Sequence, residues 1–239
     1  MQSALRILYP TQCVSCDALV EGDTGLCGKC WSDTPFITGA VCGACGAPLI
    51  GDVDPEETAY CEACHASPRP WLHGRAATLY SGNARRLVLA LKHGDRTDLV
   101  PALSQWMARA AAPLLQPDTI IAPIPLHWSR MLKRRYNQSA LFALELKPYV
   151  NAIVLPDLLR RTKPTTSLEG LSRDERFDLL RGAITIKPKY ADEIQGKRVL
   201  IADDVMTTGA TLTAATEALQ TSRAREVCVL TLARVTKDA

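Results

Sequence analysis

Val199-Leu200-Ile201-Ala202-Asp203-Asp204-Val205-Met206-Thr207-Thr208-Gly209-Ala210-Thr211 is the stretch on which the reading of this chain turns. Residues 199–202 are apolar, as a strand buried on both faces requires. Two carboxylates stand at the carboxyl end of that strand. A turn of hydroxyl-bearing and small residues then runs into a helix pattern, 209–221. Such a turn gathers backbone N–H groups, hydroxyls and the positive end of a helix at one point, which is the chemistry of a phosphate cradle. Gly209 lets a phosphate approach the backbone, and the carboxylates are placed to accept hydrogen bonds from a sugar diol. A paired Asp after an apolar strand also describes the magnesium strand of a P-loop ATPase. That reading needs a Gly-x-x-x-x-Gly-Lys-Ser/Thr loop, and the nearest match, Gly22 to Cys30, is one residue too long and ends on cysteine. A helix cap alone explains one Asp or Thr, not the whole string.

Outward from this stretch, strands and helices alternate. Arg75 to Tyr80 reads as a strand. Ser81 can cap a helix carrying Leu87, Leu89, Ala90 and Leu91 and closed by Gly94. Asp98 to Leu115 reads as a helix that tolerates Pro101 in its first turn. Thr119 to Ile124 reads as a buried strand and Tyr136 to Lys147 as a helix. Leu158–Thr162 and Ala183–Ile186 read as strands flanking a polar loop, and Val227 to Val235 as a last strand. The alternation predicts an α/β domain with a mostly parallel sheet covered on both faces. Cys228, among valines and leucines, reads as a small buried hydrophobe.

The chain is 47% hydrophobic and 22% charged, ordinary for a globular protein. No run approaches the ~20 apolar residues of a membrane span. The segment Met1 to Cys13 lacks the pattern of an export signal, so a cytoplasmic location is expected. Charge is divided unevenly: residues 1–70 hold 3 Lys/Arg against 9 Asp/Glu, and residues 71–239 hold 25 against 16. The division falls near Ser67-Pro68-Arg69-Pro70-Trp71, where two prolines favour an extended connector. A small module over 1–70 and a larger domain over 71–239 are expected.

Eight of the nine cysteines fall in four Cys-x-x-Cys pairs: Cys13/Cys16, Cys27/Cys30, Cys42/Cys45 and Cys61/Cys64. Two such pairs complete a tetrahedral thiolate site, and the gaps of ten and fifteen residues suit consecutive pairs, giving two structural zinc ions. A disulfide framework needs an oxidising compartment, and a redox pair occurs once at a helix start, not four times in succession. Iron–sulfur ligation is the serious competitor to zinc. Loading both sites with zinc would take the formal net charge of +3 to about −1. The module holds few apolar residues besides Trp31, Phe36 and Trp71, so metal binding supplies much of its folding free energy.

A second cluster, His127-Trp128-Ser129-Arg130-Met131-Leu132-Lys133-Arg134-Arg135-Tyr136, concentrates four permanent cations with two aromatics. It suits a solvated face, a clamp on pyrophosphate, or a track for single-stranded nucleic acid, and its pattern does not separate these.

Taken together, the 199–211 string, the cysteine pairs and the stretch Pro123-Ile124-Pro125-Leu126-His127 with its basic continuation resemble the ComF family (competence protein F), a double zinc ribbon joined to a type I phosphoribosyltransferase domain. The resemblance extends to Leu91-Lys92 and to the loop segments 159–163, 171–176 and 181–183. It implies a protein that binds phosphoribosyl pyrophosphate with Mg²⁺ and supports DNA uptake in natural transformation, with single-stranded DNA and DNA-processing proteins as partners. It further implies catalytic roles for Asp203, Asp204 and Arg161. Ligand contacts are implied at Asp203, Asp204, Val205, Met206, Thr207, Thr208, Gly209, Ala210 and Thr211. The leaving-group side would be faced by Pro123, Ile124, Pro125, Arg130, Lys133, Arg134 and Arg135. An active transferase on an unspecified acceptor, or a nucleobase salvage enzyme, are the alternatives. The chain departs from the family at Leu168 and Leu179, where amide side chains are expected. Leucine neither donates nor accepts, so ligand binding with slow turnover is expected.

Overall fold

The structure is a computed structural model. It describes residues 11–20, 25–51, 53–54, 57–127, 131, 135–163 and 172–236. Its centre is a five-stranded sheet of β1 (His73–Leu79), β2 (Ile120–Pro123), β3 (Ile153–Val154), β6 (Arg198–Met206) and β7 (Glu226–Arg234). The order is β1-β7-β6-β2-β3, and every pairing is parallel. Strands β4 (Leu159–Arg161) and β5 (Ile184–Ile186) form a separate antiparallel pair. The continuous apolar runs follow from burial on both faces. Val199 and Ile201 pack on one side of the sheet with Ile120, Val227 and Val229. Leu200 and Ala202 pack on the other with Ile121, Cys228 and Leu230.

Helices α3 (Gly82–His93), α4 (Val100–Ala111) and α5 (Gln138–Glu145) cover the second of these faces through Leu87, Leu91, Leu103, Met107 and Phe142. Helix α8 (Ala210–Thr221) covers the first through Leu212, Ala215 and Leu219. The expected elements are present, with shifts that have local causes. The helix expected over 98–115 is an α-helix between two 3-10 turns, Thr97–Leu99 and Ala112–Leu114, each change of geometry lying near a proline, Pro101 or Pro113. The polar segment between β4 and β5 contains helix α6 (Arg173–Leu180), begun by a capping box between Ser172 and Glu175. Strand β3, only two residues long, escaped the sequence pattern.

The largest correction concerns β6, which does not end at Ala202 but continues to Met206. Strand β7 keeps pairing with it, Asp203 opposite Thr231, Val205 opposite Ala233 and Met206 opposite Arg234. On the other side β2 stops, since Pro123 is the last residue in register and Ile124 N–H closes the ladder on the Ala202 carbonyl at 2.9 Å. Asp203 and Asp204 are therefore strand residues with one flank open.

The cysteine region forms two repeats of one design. Each opens with a knuckle closed by an antiparallel bridge, Gln12 to Leu19 and Val41 to Pro48. Each ends in a short helix whose N-cap is the third cysteine: α1 (Gly28–Ser32) after Cys27 and α2 (Glu62–Ala66) after Cys61. The remaining short helix, α7 (Ala191–Ile194), leads into β6.

Candidate functional site

The carboxyl ends of β6 and β2 face a crevice, because the chain leaves them in opposite directions. From β2 it passes through α5 to β3, and from β6 through α8 to β7 on the other flank. Open parallel sheets bind ligands at such a switch of direction. A concave site there is lined by Asp203 and residues 205–212.

Asp203 accepts hydrogen bonds from Ser139 Oγ at 2.9 Å and from the Asp204 backbone N–H at 2.9 Å. Burial first, and the neighbouring Asp204 charge second, push its carboxyl up to about 7. Asp204 forms an ion pair of 3.1 Å with Lys92, at the end of α3. Beyond the carboxylates, Thr207 is exposed, Thr208 half-buried and Gly209 buried. Gly209 has φ +85° and is the N-cap of α8, a backbone conformation that glycine adopts without strain. Thr208 Oγ1 accepts a long hydrogen bond of 3.4 Å from Ala210 N–H.

The loop is fixed from behind. Arg234 Nη1 donates to the carbonyls of Met206 (3.1 Å) and Thr207 (2.7 Å), and Arg69 Nη1 donates to that of Thr208 (2.7 Å). In a trans peptide the N–H points opposite to the C=O. Holding these three carbonyls on the protein side therefore turns the N–H groups of Thr207, Thr208 and Gly209 the other way.

Pro123, Ile124 and Pro125 are buried beside β6, and Asn137 Nδ2 holds the Ile124 carbonyl at 2.9 Å while its own side chain caps α5. Arg135 is exposed, with φ +63°. Arg130, Lys133, Arg134, Leu168 and Trp128 lie outside the described residues. Arg161 sits on the separate β4–β5 pair, whereas Arg176 of α6 comes within 3.5 Å of Thr207 Oγ1. Lys92, Ser139, Arg69 and Arg234 were absent from the candidate site residues. Only Lys92 and the 171–176 segment lay in stretches that the family resemblance had marked.

Both metal sites assemble from consecutive pairs. The sulfurs of Cys13, Cys16, Cys27 and Cys30 lie within 4.8 Å of one another, as do those of Cys42, Cys45, Cys61 and Cys64. Zinc–sulfur bonds of about 2.3 Å in a tetrahedron place sulfurs about 3.8 Å apart. Cys16 to Cys27 is 3.6 Å and Cys45 to Cys61 is 3.7 Å, so the donor sets fit zinc.

Comparison with known proteins agrees with this geometry. The double zinc ribbon domain matches residues 4–65, and the phosphoribosyl transferase domain matches residues 159–239. The chain is a double zinc ribbon joined to a phosphoribosyltransferase domain. DNA utilization protein YhgH of Escherichia coli O157:H7 is 29% identical over 222 residues, covering 90% of this chain and 93% of the relative. Competence protein F of Haemophilus influenzae is 32% identical over 151 residues, covering 63% of this chain and 59% of the relative. The resemblance to the ComF family read from the motifs is borne out by these relatives. Among solved structures, a hypoxanthine phosphoribosyltransferase from Staphylococcus aureus aligns at 18% identity with a TM-score of 0.38, over 60% of this chain and 69% of that one. Among the described residues no helix is long and apolar enough to cross a membrane.

Proposed function

We propose that the crevice at the ends of β6 and β2 binds phosphoribosyl pyrophosphate, and that the protein works in the cytoplasm on the handling of incoming DNA. The observation that carries the first half is the loop 207–209. Its N–H groups face away from three guanidinium-held carbonyls, in front of a helix N-terminus and beside two carboxylates. A 5′-phosphate suits the loop and the start of α8, and the ribose hydroxyls suit Asp203 and Asp204. The pyrophosphate would then lie toward Pro123–Pro125 and the basic stretch after them. Mg²⁺, which prefers phosphate and carboxylate oxygens, would supply charge neutralisation on the leaving group. The names of the relatives, DNA utilization protein and competence protein F, support the second half.

A transferase reaction on an unidentified acceptor is the second reading. Its support is the carboxylate pair beside the place where C1 of the ribose would develop positive charge. With leucine at 168 and 179, we expect binding without ready release of pyrophosphate.

Isothermal titration with phosphoribosyl pyrophosphate, with and without Mg²⁺, tests the site. Magnesium-dependent binding that is lost in Asp203→Asn/Asp204→Asn, in a protein that remains folded, is the expected result; unchanged affinity in that variant removes the assignment. The DNA role predicts binding of a single-stranded oligonucleotide that weakens steeply with salt and is reduced in Arg134→Ala/Arg135→Ala. Salt-independent binding, or none, sinks that half.

A further inference from the structure

The two zinc ribbons share one design but not one environment. In the first, the knuckle residues Cys16, Asp17, Ala18 and Leu19 are exposed. In the second, every residue from Cys42 to Ala47 is buried. Its Cys42, Cys45 and Cys64 pack in the same apolar cluster as Trp71, Met206, Ala210 and Val229. At the left-handed position after the second cysteine, the first ribbon carries Asp17 and the second Gly46. A Cβ at Gly46 would lie 2.5 Å from the backbone nitrogen of Ala76, so only glycine lets this knuckle press against β1.

The buried ribbon reaches the phosphate loop through two side chains of the connector. Arg69 lies over the Trp71 ring at 5.7 Å, stands close enough to Cys64 to favour its thiolate, and donates to the Thr208 carbonyl at 2.7 Å. Trp71 Nε1 donates to the Ala44 carbonyl of the knuckle at 2.5 Å. A Cβ on Gly209 would meet Trp71 at 3.1 Å and Arg69 at 3.2 Å. Behind the loop, Gln220 of α8 holds the Pro70 carbonyl at 2.8 Å, tying the connector to the helix that the loop begins. A zinc ion with four thiolates carries a net charge of −2, which gives the Arg69 guanidinium a fixed counter-charge.

We infer that the second zinc site, acting through Arg69 and Trp71, positions the phosphate loop, so that metal at Cys42, Cys45, Cys61 and Cys64 sets the affinity for the phosphoribosyl ligand. This rests on the proposed reading of residues 207–211 as the 5′-phosphate site. Arg69 is a positioning residue: it lies over Trp71, which is bonded to the knuckle, and holds the loop carbonyl, and through that carbonyl it aims the Gly209 N–H. The first ribbon has no such link among the described residues. It docks instead on α3, through Asn83 to Thr34 at 2.9 Å and Arg86 to Asp33 at 2.9 Å.

The test is calorimetry with Mg²⁺ and phosphoribosyl pyrophosphate on full-length, zinc-loaded wild type, Arg69→Ala, Arg69→Lys and Arg86→Ala. A lost charge-assisted hydrogen bond corresponds to roughly ten- to a hundredfold. Arg69→Ala should weaken binding by at least about tenfold while keeping two zinc ions, and Arg86→Ala should leave affinity within about twofold. Lysine keeps the charge and a donor but lacks the planar face that lies over Trp71, so Arg69→Lys should fall between. A second readout is the absorption of the cobalt-substituted protein. Adding ligand should shift thiolate–cobalt bands in wild type and not in Arg69→Ala. Should Arg69→Ala lose zinc, Arg69→Lys at full zinc content decides: intermediate affinity supports the bridge, and wild-type affinity overturns it. Equal affinity of wild type and Arg69→Ala, or cobalt bands indifferent to ligand in wild type, overturns the coupling and leaves the site standing. No binding by wild type removes the site itself.

Discussion

Asp203 is the residue at which function and stability pull apart. Its raised pKa, about 7, means that the folded protein holds a proton there which the unfolded chain has already released. Below about pH 4 the group is neutral in both states and costs nothing. As pH rises toward 7, folding has to work against ionisation in a half-buried site, so stability declines through that window. At ~1.4 kcal/mol per unit the ceiling is about 4 kcal/mol, and contact with water at the crevice reduces it. Asp203→Asn is therefore expected to melt at a higher temperature than wild type at pH 8 and at nearly the same temperature at pH 4, while losing affinity for the ligand. Thermal denaturation at the two pH values checks this. A variant less stable than wild type at pH 8 would show that the ionised carboxylate is compensated. The same residue marks the limit of pattern reading: its place after an apolar run was visible, but its hydrogen bond from Ser139, 64 positions earlier, was not.

At the scale of the element, β6 works through its two ends. Its carboxyl end carries the site, open on one flank because β2 stops at Pro123. Its amino end is closed by Arg198, which is buried, pairs with Glu226 at 2.6 Å and donates to the Leu114 carbonyl at 3.1 Å. Glu226→Ala would strand that guanidinium and should cost about 3 kcal/mol, read from urea denaturation, with ligand affinity unchanged. A loss below about 0.5 kcal/mol would mean that water replaces the carboxylate. Gly209→Ala probes the other end. Its φ of +85° strains any residue with a side chain, and the 3.1 Å approach of Trp71 crowds a methyl group, so the indole or the loop has to give by a few tenths of an ångström. We expect at least about 1 kcal/mol of destabilisation together with loss of binding. Retention of both would show that the loop conformation is not required. The extension of β6 past Ala202 was illegible in sequence because two aspartates do not look like strand residues; their pairing partner, β7, supplies the reason.

At the scale of the whole molecule, the metal module is not an independent bead on the α/β domain. Metal analysis should find two zinc ions per chain, one for each assembled set of four sulfurs. One zinc, or iron with visible absorbance, would contradict the double ribbon. From the sequence, chelation would be expected to melt residues 1–70 and spare the rest. The second ribbon's place in the main apolar cluster changes that expectation. A strong chelator should lower the melting temperature of the whole chain, followed by circular dichroism of the helices. A melt of the α/β domain indifferent to chelator would show that the buried knuckle keeps its shape without metal.

What the sequence determined by itself is whatever depends on near neighbours: the Cys-x-x-Cys grips, the alternation of apolar strands with helices, and the string from Val199 to Thr211 that joins carboxylates to a phosphate-type turn. Each is encoded within a dozen or so residues, where spacing and side-chain chemistry suffice. What only the tertiary structure decided is which parts meet. Arg69 reaches Thr208 across 139 positions, Lys92 at the end of α3 pairs with Asp204 of β6, and one of two similar ribbons is buried while the other faces water. No local pattern carries such information, because a long-range contact is set by how whole elements pack, and the packing is settled by the combined burial of both faces of the sheet.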